Sequence, residues 1–432
     1  MDPWITLALF VAVLLVLLAT GAPVAVCMGL LGVLGVGVFV SWNAVGKIAS
    51  QAFESSGDFV LTVVPLFVLM GEVLARSGLG ETLFRASRLW LRALPGSSAV
   101  ATVAACTAFS SVCGSSPVTA ATVGSFAVPE MQRQGYDKRL ALGATAAGGT
   151  LGILIPPSIP MILYGVITET SVGDLFIAGV IPGLMLAALL SLTVIVLVWR
   201  NPALAPRDPT RAGWKDKLQA LARLWPVLAL IVGVTGSIYS GVATPTEAAA
   251  LGALGAIAIS ALQRRLSWRL LRECLDGAAR TTAMFLLLLV CGLFVAFLLA
   301  RLGVPQGLAE SLTSLDVPPV VIMVAIVALL VLLGFFMDPL SILVIVVPIF
   351  FPAVEGFGYS PVWFGIVVTI TIEIAAITPP VGFNLFVLRS VVPGVTMAEV
   401  SRGAAVFVLP MLLGIALLFL FPQIALGLLP GR

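Results

Sequence analysis

The chain has 432 residues, 60% of them hydrophobic and 10% charged, with a net charge of +3 and no histidine. A soluble domain carries about a quarter charged residues, so the composition excludes a water-soluble globular protein and fits an all-α polytopic membrane protein, with room for about ten crossings of ~20 residues. The small, scattered charge excludes nucleic acid as a partner, the lack of histidine removes the commonest metal ligand, and Cys27, Cys106, Cys113, Cys274 and Cys291 show no metal-binding spacing and read as small buried hydrophobes.

Met1-Asp2-Pro3-Trp4 lacks the basic residues of a secretory signal, so residues 4–20 read as a retained first helix. Gly21-Ala22-Pro23 turns into a second apolar run to about Val40, in which Gly32, Gly35 and Gly37 read as close-packing positions. Residues 42–58 suit an interfacial helix and 59–75 a third span carrying Glu72. Glu72 reads either as a functional group or as a structural hydrogen bond to its surroundings. Residues 76–92, with Arg76, Arg85, Arg88 and Arg92 among leucines, predict an amphipathic connector.

Residues 97–131 are split by Cys113-Gly114-Ser115-Ser116-Pro117 into halves of ~15 residues, each about 23 Å long as a helix and short of the ~30 Å bilayer core. They predict a re-entrant hairpin, two short full spans being the alternative. Residues 138–167 form an apolar run broken at Pro156-Pro157, because the pair removes backbone donors and bars the preceding residue from helical angles. Spans follow at 175–199, 225–241, 244–262 and 281–300, with a polar loop at 200–223. Residues 318–353, split at Met337-Asp338-Pro339, predict a second hairpin, 360–390 a second helix broken at Pro379-Pro380, and 403–421 a last span.

The two halves repeat. Pro129 pairs with Pro352, Gly135-Tyr136 with Gly358-Tyr359, and Pro156-Pro157 with Pro379-Pro380, always at the same spacing. An odd number of crossings separates Tyr136 from Tyr359, so the repeats enter the membrane from opposite sides, the signature of an inverted-repeat transporter. Basic residues set the orientation. Arg133, Lys138, Arg139, Arg200, Arg207, Arg211, Lys215, Lys217, Arg223, Arg264, Arg265, Arg269, Arg272 and Arg280 fall on one side, which is therefore cytoplasmic. Asp2, Glu54, Asp58, Glu169, Asp174, Glu247 and Glu355 fall on the other, with Lys47 and Arg301.

Each break leaves a half-helix N-terminus inside the protein, where broken backbone is tolerated only against protein or a water-filled cavity. Ser116-Pro117, Asp338-Pro339 and Thr378-Pro379 read as polar-cap starts, and Pro156-Pro157 as a start without a polar cap. Converging positive dipole ends favour a carboxylate, and exposed carbonyls with Ser, Thr and Asp oxygens suit a hard monovalent cation. The candidate substrate contacts are Ser115, Ser116, Thr119, Asn384 and Arg389, and the candidate sodium ligands Ser110, Gly114, Gly149, Asp338, Thr378 and Pro379. Glu373, five residues before Thr378, reads as a group that holds the unwound segment. No organic cofactor is expected. Ser110, Ser111 and Ser115 have no histidine or evident lysine partner, and no Gly-x-x-x-x-Gly-Lys-Ser/Thr occurs, so neither an intramembrane enzyme nor ATP use is expected.

At these residues the chain resembles the large membrane subunit of the tripartite ATP-independent periplasmic (TRAP) transporters, from about residue 4 to 425. The likeness is strongest in Gly114-Ser115-Ser116-Pro117-Val118-Thr119, Val128-Pro129-Glu130-Met131, Gly152-Ile153-Leu154-Ile155-Pro156-Pro157-Ser158, Phe336-Met337-Asp338-Pro339 and Ile377-Thr378-Pro379-Pro380-Val381-Gly382-Phe383-Asn384. The resemblance implies an elevator-type transporter in a bacterial inner membrane, taking up an organic acid with sodium. It also implies a small four-helix membrane subunit and a periplasmic solute-binding protein as partners, beside membrane lipid. Cys113 stands where the family more often has Ser, and without extra N-terminal helices the small subunit is expected to be a separate chain.

The expected organisation is scaffold helices and connector at 1–96, a first transport repeat at 97–199, a loop and scaffold helices at 200–317, and a second transport repeat at 318–432. The competing reading is a stand-alone cation-coupled dicarboxylate or ion carrier of related design, which would transport without a binding protein.

Overall fold

A computed structural model describes residues 3–206, 213–380 and 382–429; Asp2, Arg207, Arg211 and Val381, named above, lie outside them. The described residues are helical throughout, joined by short turns. The first half comprises α1 (Pro3–Ala19), α2 (Val24–Phe39), α3 (Lys47–Gly57), α4 (Val63–Arg76), α5 (Leu79–Leu91), α6 (Ser97–Cys113), α7 (Ser116–Arg133), α8 (Lys138–Thr150), α9 (Ile159–Thr168) and α10 (Val172–Arg200). After α11 (Trp214–Arg223), the second half runs through α12 (Trp225–Tyr239), α13 (Pro245–Leu262), α14 (Trp268–Arg301), α15 (Val304–Thr313), α16 (Pro319–Leu333), α17 (Pro339–Gly356), α18 (Pro361–Ala376), α19 (Phe383–Val391) and α20 (Met397–Leu420), with α21 (Gln423–Leu426) as a tail.

The repeat extends over nearly the whole chain. The spacing that relates Pro129 to Pro352 also maps α1 on α12, α2 on α13, α3 and α4 on α14, and every helix from α5 to α10 on its counterpart from α15 to α20. Two of these elements differ from the expectation. Residues 264–280 were expected to be a basic loop, but Ser267 caps Leu270 N–H and one helix runs unbroken to Arg301. Its polar start is solvated rather than unfolded, and Arg269 pairs with Glu273 one turn on at 3.0 Å. Residues 304–313, left without a structure in the sequence reading, form α15, the counterpart of the connector α5.

Both predicted hairpins form. Their arms α6, α7, α16 and α17 have 17, 18, 15 and 18 residues, so each is about 23–27 Å long. Helix starts follow the polar residues that can satisfy free N–H groups. Asp137 accepts from Arg139 and Leu140 N–H, and the Thr244–Glu247 and Thr396–Glu399 pairs each bond reciprocally across the first turn. Gly32 and Gly35 let α2 lie against Phe294 and Leu298 of α14, and Gly37 meets Trp42.

The repeats interleave where the chain breaks. The half-helix α9 packs on α17 of the other repeat, and α19 packs on α7. Each broken helix therefore packs on its own hairpin before the break and on the hairpin of the opposite half after it.

Candidate functional site

The site is assembled around the tip of the first hairpin. Gly114 ends α6 in a left-handed conformation (φ +65°), which spares it the Cβ clash of other residues. A side chain there would also stand 2.8 Å from the Pro157 carbonyl oxygen. The Gly114 carbonyl accepts from Ile159 N–H at 3.3 Å, so the hairpin tip and the first break are locked together. Gly152, in the turn after α8, approaches the tip just as closely; a Cβ there would lie 2.7 Å from the Ser115 carbonyl oxygen and 2.8 Å from the Ser116 nitrogen. Gly149 brings α8 against Ala120 of α7, where a Cβ would stand 2.6 Å from the Ala120 Cβ.

The second break joins from the other side. Asn384, in the first turn of α19, is fully buried, and its Nδ2 donates to Ser116 Oγ at 2.7 Å. Asn384 Oδ1, Ser110 Oγ and Thr119 Oγ1 are buried without a hydrogen-bond partner among the described residues, although the thiol of Cys113, a weak partner, lies beside Thr119. Buried polar groups are nearly always satisfied. Several unsatisfied oxygens around one hairpin tip can coordinate a cation or accept hydrogen bonds from a ligand.

Ser115 is half-buried and lines a narrow crevice with Val68, Gly71 and Glu72 of α4, Cys113, Val118, Ile159 and Thr281. Across this crevice α4 touches the tip directly, since a Cβ on Gly71 would stand 3.0 Å from the Cys113 carbonyl oxygen. Glu72 takes the structural option offered for it: its carboxylate pairs with Arg76 at 3.0 Å and lies against Gly277 of α14.

The starts of the half-helices differ from the expectation. Only Asp338-Pro339 caps as read: Asp338 Oδ1 accepts from Leu340 and Ser341 N–H at 3.1 and 3.2 Å, and Oδ2 bonds the Ser341 hydroxyl. The helix α9 does have a polar cap, Ser158, which accepts from Met161 N–H, so the helix starts at Ile159, one residue beyond the serine. Thr378 caps no helix start but donates to Ile374 O at the end of α18, and α19 begins only at Phe383, after the left-handed Gly382. Ser116 Oγ is engaged by Asn384, and the N-cap residue of α7 is Ser115, whose side chain makes no capping bond. Both Pro-Pro bonds are cis.

The structure thus brings Ser110, Gly114, Ser115, Ser116, Thr119, Gly149 and Asn384 together around the first tip and the two breaks. Asp338 sits at the second hairpin tip, where Gly334, just after α16, abuts Ala375 near the end of α18. Thr378 and Pro379 lie in the second break, half-buried and exposed. Arg389 is exposed in the last turn of α19, turned away from the cluster. Glu373 does not hold the unwound segment, because neither of its oxygens has a partner among the described residues. Gly152 and Ser158 went unassigned in the sequence reading, although both stand within the Gly-Ile-Leu-Ile-Pro-Pro-Ser stretch that carries the break.

Residues 11–424 match the family described as "Tripartite ATP-independent periplasmic transporter, DctM component". The C4-dicarboxylate TRAP transporter large permease protein of Pseudomonas aeruginosa is 36% identical over 408 residues, covering 93% of each chain. The isethionate TRAP transporter permease protein DctMQ of Oleidesulfovibrio alaskensis is 33% identical over 405 residues, covering 91% of this chain and 61% of that one. In fold, the chain resembles the crystal structure of the YdaH transporter of Alcanivorax borkumensis, with a TM-score of 0.67, 17% identity and 100% of both chains covered.

Proposed function

The chain belongs to the tripartite ATP-independent periplasmic transporters as their large permease component, and from that premise we propose that it imports an organic acid across a bacterial inner membrane, driven by sodium. The observation that carries the reading is the set of unsatisfied buried oxygens of Ser110, Thr119 and Asn384 at the first hairpin tip. Neutral hydroxyl and amide oxygens suit a hard cation. The N-terminus of α7 begins beside them, and its dipole favours a carboxylate.

A sodium ion near the tip would add a full positive charge to that dipole end, so that cation and substrate reinforce each other's binding. Coupling of this kind is reciprocal: whatever factor sodium adds to substrate affinity, substrate adds to sodium affinity. Ser115, on the crevice between the tip and α4, is placed to meet substrate first. In the proposed cycle, 97–199 and 318–432 move as a transport unit against a scaffold of 1–96 and 200–317, in an elevator motion.

Relatives point to the substrate class and the partners. Two are named for C4-dicarboxylate and isethionate, both small organic anions. The DctMQ relative is longer than this chain, in keeping with a small membrane subunit as a partner. A periplasmic binding protein would deliver the acid. The test is uptake into proteoliposomes with each component omitted in turn, and with potassium replacing sodium. The reading requires all components and an inward sodium gradient. Uptake by this chain alone would favour the stand-alone carrier, and uptake indifferent to sodium would remove the proposed coupling.

A further inference from the structure

Every residue of α18 from Val362 to Ala376 is buried, and Glu373 among them is 0% exposed. Neither Oε1 nor Oε2 has a hydrogen-bond partner among the described residues. An ionised carboxylate so placed needs a counter-charge, for burial without one costs several kcal/mol or more.

The neighbouring elements supply none. Charged residues on the helices packed against α18 are Lys138 and Arg139 of α8, Asp174 and Arg200 of α10, Glu355 of α17, Arg389 of α19, and Glu399 and Arg402 of α20. All stand in the first or last two turns of their helices, and none is bonded to Glu373. Asp338, at the start of α17, spends both oxygens on its own first turn. The titratable group of α9 is Tyr164, whose hydroxyl donates to Pro361 O at 2.6 Å. Helices α16 and α21 and the turn 151–153 carry no charged side chain.

A metal ion fits poorly there. Hard cations gather about six or more oxygens, yet the other side-chain oxygens of α18 are those of Thr369 and Thr371, each held against its own helix by a bond to the carbonyl of Gly365 or Val367 at 2.8 and 2.7 Å. A proton needs one oxygen only. Water comes near, since Thr378 is half-buried and Pro379 and Pro380 are exposed, about a turn and a half further along the chain.

We propose that Glu373 is a proton-binding site: in the conformation described its carboxyl is the neutral acid, and its proton exchanges with the water that reaches the chain at Thr378, Pro379 and Pro380. The site lies beside the proposed transport site but does not depend on that reading. Its test needs no substrate, and its failure would leave sodium-driven import standing.

The test is infrared spectroscopy of the full chain in lipid nanodiscs, comparing the native protein with Glu373→Gln in light and heavy water. The native chain is expected to show the carbonyl stretch of a buried carboxylic acid, persisting into mildly alkaline buffer and equal in sodium and in potassium. Glu373→Gln should lose that band completely, and Glu373→Asp should move it rather than remove it. The aspartate variant serves also if the glutamine variant fails to fold. No band attributable to position 373, or a carboxylate band there instead, overturns the proposal. So does a band that vanishes when sodium replaces potassium, which would make Glu373 a sodium ligand.

Discussion

Gly149→Ala isolates the contact on which the first tip is built. The new Cβ would stand 2.6 Å from the Ala120 Cβ, 2.9 Å from its Cα and 3.2 Å from its nitrogen. Carbon atoms pack at about 3.5–4.0 Å, and two of these three neighbours are backbone, so α7 must move away from α8. Overpacking a well-filled core costs about 1–3 kcal/mol. Because α7 carries Ser116 and Thr119, the shift also displaces the proposed ligands. Thermal unfolding in detergent, scanned at one rate, should show Gly149→Ala melting lower than native, with a raised sodium requirement for uptake. Ala120→Gly in the same chain removes the 2.6 Å contact but not the 2.9 Å one, so the double variant should recover part of the loss. A Gly149→Ala protein that melts and transports as native refutes the packing argument. A double variant no better than the sum of its single changes refutes the assignment to Ala120.

Ser116→Ala should lower the melting temperature and weaken sodium dependence, since it strips the buried Asn384 amide of its partner at a cost of about 1–3 kcal/mol; unchanged behaviour in both assays would dissolve the link between the repeats. Asp338→Asn should fold, because Asn caps as well as Asp, yet need more sodium for half-maximal uptake, because Asp338 is the one carboxyl side chain among the candidate sodium ligands and Asn keeps a single hard oxygen. An unaltered sodium requirement would leave Asp338 a cap alone. Glu399 precedes the last apolar run, and its carboxyl is lowered from 4.5 to about 2 by the Thr396 backbone N–H, then by Lys138 and the Thr396 hydroxyl. With the folded value depressed, its stabilisation is present above the ordinary carboxylate range and lost as pH falls toward 2. The melting difference between native and Glu399→Gln should therefore shrink on acidification; a gap that stays constant would contradict it.

The breaks and hairpins were legible because proline acts locally: Pro156-Pro157, Pro379-Pro380, Ser116-Pro117 and Asp338-Pro339 each interrupt an apolar run within one or two residues. Where helices restart was less legible. A Pro-Pro pair ends one helix without marking where the next begins: α9 starts only after its cap Ser158, and α19 only after the left-handed Gly382. The polar start of α14 was read as a loop because charge was weighed above period, although Arg269 and Glu273 stand four apart as a helix requires. The pairing of Ser116 with Asn384 joins residues of opposite repeats. No local pattern encodes it. Arg389 has the right chemistry for an anion but stands at the far end of α19 from Asn384, and helical geometry carries it to the surface.

The interleaving of the repeats explains why coupling can be strong in a site made of neutral groups. Had each broken helix packed only on its own hairpin, a ligand at one break could close that half and leave the other unaffected. Instead α19, which follows the second break, lies on α7 of the first hairpin, and α9, which follows the first break, lies on α17 of the second. The Ser116–Asn384 hydrogen bond fixes the first of these contacts at the tip itself. A ligand that draws Asn384 Oδ1 and Thr119 Oγ1 together must therefore move the second break and the first hairpin at once. Packed backbones such as Gly149 on Ala120 and Gly152 on Ser115 leave no slack to absorb that motion locally. In the proposed cycle, sodium and the organic acid consequently act on one mechanical unit, and neither can close it in half.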